Sequence, residues 1–221
     1  MITTTITPIP VYAVNLAQRT DRKEHIISQF RGRKEFELNI VPAIEHKIGA
    51  YGLWQTLRQI VKLELDNASE YFVLCEDDHT FTDNYKPELL LRCIQIAQQL
   101  NADILSGGVS WFNCGVLIHK NLYWIDKFNG LQFTVFFNKF YSAFMDADFG
   151  EHPIVDINIA DISENKFVIY PYISVQKEFG YSDVTSKNAE DGYVESIFKA
   201  SEARFKLMTK VKQFYFNNQL T

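Results

Sequence analysis

The chain has few features of a secreted, membrane-spanning or nucleic-acid-binding protein. Its three cysteines, Cys75, Cys93 and Cys114, are widely spaced and form no CxxC zinc pattern. They indicate reduced thiols in a reducing compartment. No run approaches the roughly 18 apolar residues of a membrane-spanning helix. The net charge of −5 argues against the basic field of a nucleic-acid binder, so no nucleic-acid partner is expected.

The start of the sequence also lacks a feature that secreted proteins carry. Residues 1–10 contain no Lys or Arg and therefore lack the charged first region of a signal peptide. We expect a cytoplasmic protein, either free or at the inner face of the membrane. What the chain does have is apolar residues, at 47%, and aromatic residues, at 14%, which predict a sizeable core.

Strand and helix patterns alternate through the first 105 residues. Apolar runs predict strands at 11–16, 36–41, 71–75 and 104–105, and helical periodicity predicts helices at 20–33, 54–65 and 87–100. This alternation favours an α/β fold with a mainly parallel central sheet flanked by helices. Further strands are expected at 114–118 and 167–170, whereas the aromatic-rich segment 131–145 fits either a strand or a helix.

The absence of internal repeats and of a convincing linker predicts one domain over residues 1–221. Its last part, residues 193–218, is expected to be a C-terminal helix in which apolar and basic residues alternate. One interpretation is that this helix packs on the core with a solvated basic face. The other is an interfacial helix that makes peripheral contact with a membrane.

The strand predicted at 71–75 ends in three consecutive carboxylates, Glu76, Asp77 and Asp78. Adjacent like charges repel, so a bound cation would relieve them. The position just beyond the carboxyl end of a strand is where α/β proteins bind ligands. Since hard cations prefer oxygen ligands, a divalent metal that holds a phosphorylated ligand is the first hypothesis. A surface turn is the plainer alternative.

A second polar segment follows the first strand. Asn15 ends the strand, and Arg19 and Arg22 flank the start of the next helix, where the helix dipole favours anions. Guanidinium groups bind phosphate oxygens in pairs, although a solvated turn with Asp21 as local partner is also consistent with the pattern. The two segments together suggest a nucleoside diphosphate bridged by a cation.

Five segments resemble the family 25 glycosyltransferases, which act in lipopolysaccharide biosynthesis and are related to collagen galactosyltransferases. They lie in the family's order at residues 11–26 (VYAVNLAQRTDRKEHI), 36–47 (FELNIVPAIEHK), 71–81 (YFVLCEDDHTF), 112–123 (FNCGVLIHKNLY) and 170–185 (YPYISVQKEFGYSDVT). The fourth of these resembles a glycine-containing strand with a helix after it.

This resemblance implies a GT-A-like glycosyltransferase that uses Mn²⁺ or Mg²⁺. The enzyme would transfer a hexose from a nucleotide-sugar, most simply a UDP-sugar, to a hydroxyl of a glycan or lipid-linked glycan, with inversion. Asp78 would be the main metal ligand and Glu76 a second one. The residues that would contact the donor are Asn15, Arg19, Arg22, Ala43, Asp77, Gln176, Ser182 and Asp183.

An inverting enzyme needs a base to take the proton of the acceptor hydroxyl. Asp156 ranks first because its place after a proline resembles that of an acidic residue in the family's late segment. Asp146, Asp148 and His152 are the other candidates, and Asp146 and Asp148 form a second DxD string. His79 is expected to be exposed to solvent.

One departure from the family leaves other functions open. A Ser-His pair that often follows the family's Ile-Gly step is absent, since residues 48–54 read IGAYGLW. The chain could therefore be a catalytically degenerate nucleotide-sugar-binding protein. A Mg-dependent phosphohydrolase is a further alternative because such enzymes also use carboxylates that follow strands.

Overall fold

The computed structural model describes residues 7–150, 154–181 and 190–218. The strands, in chain order, are β1 (Ile9–Asn15), β2 (Phe36–Pro42), β3 (Tyr71–Glu76), β4 (His79–Phe81), β5 (Ile104–Ser106), β6 (Trp111–Phe112), β7 (Gly115–His119), β8 (Leu122–Ile125), β9 (Phe128–Asn129), β10 (Phe133–Phe137), β11 (Lys166–Ile169) and β12 (Ser174–Gln176). The helices are α1 (Thr20–Phe30), α2 (Gly49–Asp66), α3 (Pro87–Gln99), α4 (Asn138–Asp146), α5 (Val155–Ile162) and α6 (Tyr193–Asn218).

Eight strands form one central sheet in the order β2-β1-β3-β10-β5-β11-β8-β7. β1 pairs in parallel with β2 and β3, and β5 pairs in parallel with β11. β10 and β8 run against their neighbours, while the remaining strands share one direction. The α/β prediction of a mainly parallel central sheet flanked by helices is confirmed. Two short pairs, β4 with β12 and β6 with β9, lie outside the sheet.

Hydrophobic cores cover both faces of the sheet because successive side chains of a strand point to opposite sides. On β3, Phe72 and Leu74 belong to the core that includes Trp54 of α2, whereas Val73 and Cys75 belong to the core that includes Ile26 of α1. The first core also receives α4, α5 and α6, and the second receives α3.

The structure shows the conformation of two segments. The sequence left the first open between a strand and a helix, and for the second the family resemblance implied a helix. Residues 131–145 contain both predicted elements, since β10 is followed directly by α4. The helix expected after the glycine-containing strand is absent, and this expectation is wrong. β7 forms a hairpin with β8 instead, because residues 122–125 (LYWI) are β-forming and a short polar turn precedes them.

The topology brings several strand ends to one place. β2 and β3 lie on opposite sides of β1, so the strand order reverses between β1 and β3, where α/β sheets bind ligands. The antiparallel β10 starts at the same edge at which β3 and β5 end. We call the edge formed by the ends of β1, β3 and β5 and the start of β10 the carboxyl edge.

The helix α6 covers residues 193–218 and begins at a carboxylate from another segment. Glu178 Oε1 accepts hydrogen bonds from the backbone N–H groups of Val194, at 2.6 Å, and Glu195, at 3.3 Å, and Oε2 accepts one from Gly192 at 2.8 Å. The described helices include none that is both long enough and apolar enough to cross a membrane.

Candidate active site

Asn15 and Asp77 meet where β1 and β3 end. The side chain of Asn15 donates a hydrogen bond to Asp77 Oδ2 at 2.8 Å and another to the carbonyl of Arg19 at 3.1 Å. The backbone N–H of Ala43 donates to the carbonyl of Asn15 at 2.9 Å. Arg19 Nη1 lies 4.0 Å from Asp77 Oδ2. Four of the residues expected to contact a donor are therefore neighbours at the carboxyl edge.

The Arg22 guanidinium is engaged by protein groups on several sides. Its Nη1 lies 3.2 Å from Asp77 Oδ1 and 3.3 Å from Asp78 Oδ2. Its Nη2 donates to the carbonyl of Tyr181 at 2.8 Å, and the rings of Phe179 and Tyr181 lie 4.7 Å and 4.6 Å from the guanidinium carbon. Arg22 is buried. Its positive charge offsets the negative charge of the acidic motif, by which we mean Glu76, Asp77 and Asp78.

Asp78 has one carboxylate oxygen that no described protein group satisfies. Oδ2 faces Arg22, whereas Oδ1 is buried and has no hydrogen-bond partner among the described residues. Burial raises the pKa of Asp78 to about 7, and the charge of Asp77 adds to this rise while Arg22 opposes it. The backbone N–H of Lys177 donates to the Asp78 carbonyl at 2.8 Å, which fixes the turn after β3.

Glu76 is the last residue of β3 and lies among other carboxylates. Gln176, brought close by the pairing of β12 with β4, donates its amide to Glu76 Oε2 at 3.0 Å. Burial raises the pKa of Glu76 well above its usual range, and repulsion from Asp78 and Asp156 adds to the effect. Glu76, Asp78 and Asp156 therefore form a group of carboxylates in which ionisation is costly.

Asp156 lies in the first turn of α5 and is held toward the carboxyl edge. It accepts a hydrogen bond from the backbone N–H of Gly130 at 2.5 Å, in the loop that leads into β10. Gly130 has a φ of +132°, which side-chain-bearing residues rarely adopt, and a Cβ there would lie 2.9 Å from Gln132 Oε1. Burial raises the pKa of Asp156 to about 6.

Sequence reasoning missed two features of this edge. Gln132 donates its amide to the Gly108 carbonyl at 2.8 Å, whereas its Oε1 is buried without a partner among the described residues. Gly108 lies so close to β12 that a Cβ would come within 2.2 Å of the Ser174 carbonyl oxygen. The Gly-Gly pair at 107–108 was a visible signal of a close backbone approach, but nothing local marked Gln132.

Three other candidates have different surroundings. The expectation that His79 is solvent-exposed is wrong: its ring is fully buried, packs edge-on against Phe81 and in a tilted contact against Phe133, and hydrogen-bonds to Ser174 Oγ at 2.8 Å. Burial lowers the pKa of His79 well below its usual value, so it is a neutral core residue. Asp146 and Asp148 are exposed at the end of α4 and just after it. Ser182, Asp183 and His152 lie outside the described residues.

The carboxylates fit a divalent cation that is completed by a ligand. Within the described part of the chain, no group of three or more His, Cys, Asp or Glu side chains is arranged to hold a metal ion. Mg²⁺ commonly uses only one or two protein carboxylates together with substrate phosphates. Glu76 and Asp78 are carboxylates of this type, and Oδ1 of Asp78 is a buried hard oxygen donor without a partner among the described residues.

Comparisons with known proteins find solved structures of similar fold but no matching family. No family model matches the chain, and no curated protein matches it. A197 from STIV is similar with a TM-score of 0.55 and 8% identity, over 80% of this chain and 87% of that one. An apo-UDP-glucose pyrophosphorylase (TM-score 0.46, 13% identity, 89% and 82% covered) and HddC from Yersinia pseudotuberculosis (0.45, 9%, 89% and 78%) are more distant. The first likeness shows a shared fold, and the weaker two carry no conclusion about function.

Proposed function

We propose that the chain is a glycosyltransferase related to family 25, in surface polysaccharide or lipopolysaccharide synthesis. It transfers a hexose from a nucleotide-sugar, most simply a UDP-sugar, to a hydroxyl of a glycan or lipid-linked glycan, with inversion. The observation that carries this proposal is the bare Oδ1 of Asp78, buried beside Glu76 where the strand order reverses. A buried, unpartnered carboxylate oxygen costs stability, which a bound cation and donor would recover.

On the donor side, Asp78 and Glu76 would hold Mn²⁺ or Mg²⁺, which supplies charge neutralisation for the departing diphosphate. Arg22 keeps Asp77 and Asp78 in place through the two ion pairs at 3.2 Å and 3.3 Å. Arg19, whose Nη1 lies 4.0 Å from Asp77 Oδ2, and the exposed Lys177, whose backbone N–H donates to the Asp78 carbonyl, are the cationic side chains proposed to meet phosphate oxygens. Gln176 orients Glu76, and Asn15 orients Asp77.

On the acceptor side, Asp156 is proposed as the general base. Its raised pKa of about 6 leaves it ionised at neutral pH but more basic than an ordinary carboxylate, which suits proton removal from a hydroxyl. The Gly130 N–H fixes one carboxylate oxygen, so the other can accept the acceptor proton. Asp156 would then pass that proton to solvent after the product leaves.

A catalytically degenerate nucleotide-sugar-binding protein is the second candidate. The specific observation in its favour is that Arg22 pairs with Asp78 Oδ2, so that within the described residues only Oδ1 of that carboxylate has no partner. Both candidates bind a nucleotide-sugar, but only the enzyme releases the nucleoside diphosphate at a useful rate.

A thermal-shift panel separates these possibilities. The purified chain would be heated with UDP-, GDP-, CMP- and dTDP-sugars, each with and without Mn²⁺, since a ligand of the native state raises the melting temperature by mass action. We expect a shift for one nucleotide class that requires the cation. No shift with any donor would contradict the proposal. A shift without nucleotide release from the donor, even with glycan acceptors, would favour the degenerate binder.

A further inference from the structure

The second half of α6 presents apolar side chains to solvent. In its first half, Val194, Phe198 and Phe205 lie in the core. Beyond Phe205 the helix carries a second apolar stripe on another face, because Leu207, Val211 and Phe214 follow at helical spacing. Leu207 and Phe214 are each 62% exposed and Val211 is 48% exposed. We call these three residues the outer stripe.

Two neighbouring aromatic residues enlarge this surface. Tyr215 and Phe216 are 60% and 62% exposed, so the last described turns of α6 bear aromatic groups on more than one side. Scattered exposed apolar residues are ordinary, but a contiguous run of this kind marks a surface that another molecule covers.

The charge around the outer stripe distinguishes between possible occupants. Lys206 and Lys210 flank the stripe at helical spacing and are exposed, as is Lys212. The sequence contains no acidic residue after Glu202, although the whole chain carries a net charge of −5. A second copy seated on this helix would bring the same lysines close together, whereas an anionic surface would attract them.

A groove beside the helix carries the same sign of charge. It has a volume of about 500 Å³ and lies between α6 and the β7–β8 turn. Lys120 of the turn and Lys212 of the helix both line it, together with Tyr170 and Phe216. The Lys212 ammonium lies 5.5 Å from the centre of the Phe216 ring. Aromatic rings beside ammonium groups suit the boundary between lipid headgroups and acyl chains.

We propose that the second half of α6 is a peripheral binding surface for an anionic lipid bilayer. The outer stripe enters the boundary between headgroups and acyl chains, and Lys206 and Lys210 contact lipid phosphates. Lys120 and Lys212, which line the groove, contact the same headgroups. The inference rests on α6 and the groove beside it and uses no residue of the carboxyl edge, so it stands or falls separately from the sugar-transfer proposal.

Sedimentation with vesicles tests the surface. We expect the chain to bind vesicles of equal parts phosphatidylglycerol and phosphatidylcholine, to bind phosphatidylcholine vesicles much more weakly, and to dissociate as salt rises. Replacing Lys206 and Lys210 by Gln should weaken binding to anionic vesicles by roughly 25-fold, since each surface lysine contributes about fivefold. Equal binding to both kinds of vesicle would overturn the charge argument.

A matched pair of variants tests the apolar contribution. The double substitution Leu207→Ser and Phe214→Ser should reduce vesicle binding at least tenfold and leave the melting temperature unchanged, since both side chains are exposed. The control is Leu63→Ser on α2, which removes a leucine that is 47% exposed elsewhere. Unchanged binding by the double variant would overturn the proposal. So would light scattering that shows a dimer for the wild type and a monomer for the double variant, because a second copy would then cover the stripe.

Discussion

Two aspartates at opposite strand-end edges of the central sheet differ in how their oxygens are used. Asp103 lies just before β5, and its Oδ2 accepts the backbone N–H groups of Glu164 and Asn165 at 2.7 Å and 2.8 Å. Its Oδ1 lies 3.2 Å from Lys139 Nζ. Asp78, at the carboxyl edge, has Arg22 on one oxygen and no described partner on the other.

The difference separates a carboxylate that supports the fold from one that, in our proposal, binds a ligand. A buried polar atom without a partner costs about 1–3 kcal/mol, so a fold without a ligand to bind would gain by satisfying it. Both carboxylate oxygens of Asp103 have partners, whereas Oδ1 of Asp78 has none among the described residues. We infer that the carboxyl edge gives up stability for binding, whereas the opposite edge of the sheet does not.

The largest effect is expected at the proposed base. Replacing Asp156 by Asn keeps an acceptor for the Gly130 N–H but removes the basic oxygen, so kcat should fall by about 10²–10⁴. Donor affinity should change by less than about twofold, because only the transition state uses the base. The control is Asp161→Asn on the same helix, an exposed partner of Lys127. If kcat stays within tenfold of the wild type, Asp156 is not the base.

The next largest effect concerns the two cationic side chains that pair with these aspartates. Their replacement should change the free energy of unfolding by different amounts. The Arg22 side chain is only 8% exposed, so Arg22→Ala removes the ion-pair partner of Asp78 and one of the partners of Asp77, and should cost about 3–5 kcal/mol of unfolding free energy. The Lys139 side chain is 36% exposed, and Asp103 keeps its two backbone donors, so Lys139→Ala should cost less than about 1 kcal/mol. Urea titrations of both variants measure the contrast. Equal losses would show that Arg22 does not hold the acidic motif together.

Replacing the aspartates themselves sharpens the comparison. Asp103→Ala deprives two backbone N–H groups and Lys139 of their acceptor and should destabilise the fold by about 2–4 kcal/mol. Asp78→Ala removes a repelled carboxylate and should change stability by less than about 1 kcal/mol in either direction. Denaturant unfolding without added cation measures both. A larger loss for Asp78→Ala than for Asp103→Ala would reverse their assigned roles.

The smallest effect is a pH dependence. Because the folded-state pKa of Asp78 is raised to about 7, the folded state holds that proton more tightly than the unfolded chain. Its contribution is favourable at low pH and is lost as the pH rises from about 4 through 7. Asp78→Asn cannot ionise, so its melting temperature relative to the wild type should rise between pH 5 and pH 8 without cation. A constant difference across that range would show that the pKa of Asp78 is not raised.

The sequence predicts the first half of the sheet well for a physical reason. β1, β2 and β3 are short apolar runs separated by amphipathic helices, so local patterns suffice to identify them. The second half depends on distant pairings. β10 inserts between β3 and β5, and this long-range arrangement leaves no local signature. The β7–β8 hairpin has a local signal in residues 122–125, but the family resemblance implied a helix there.

The site residues show the same contrast between local patterns, which the sequence reveals, and long-range pairings, which it does not. The sequence predicts that the segment from Asn15 to Arg22 and the carboxylates after β3 hold one ligand together, and this stays a prediction. The structure places Asn15 within hydrogen-bonding distance of Asp77 at the carboxyl edge. Arg22 was expected to bind phosphate, but a sequence cannot tell a ligand phosphate from a carboxylate 55 residues further along, and Arg22 pairs with Asp77. The contribution of Gly130 and Gln132 was invisible, since it depends on the antiparallel entry of β10.

Isothermal titration calorimetry tests the role of the unpartnered Asp78 oxygen most directly. The UDP-sugar series is titrated into the wild type and into Asp78→Asn, each with and without Mn²⁺. We expect the wild type to bind one UDP-sugar only when Mn²⁺ is present, and Asp78→Asn to lose that binding while it unfolds at the same or a higher temperature. Wild-type affinity in Asp78→Asn would contradict the proposed site, because the cation and donor would then not depend on Asp78.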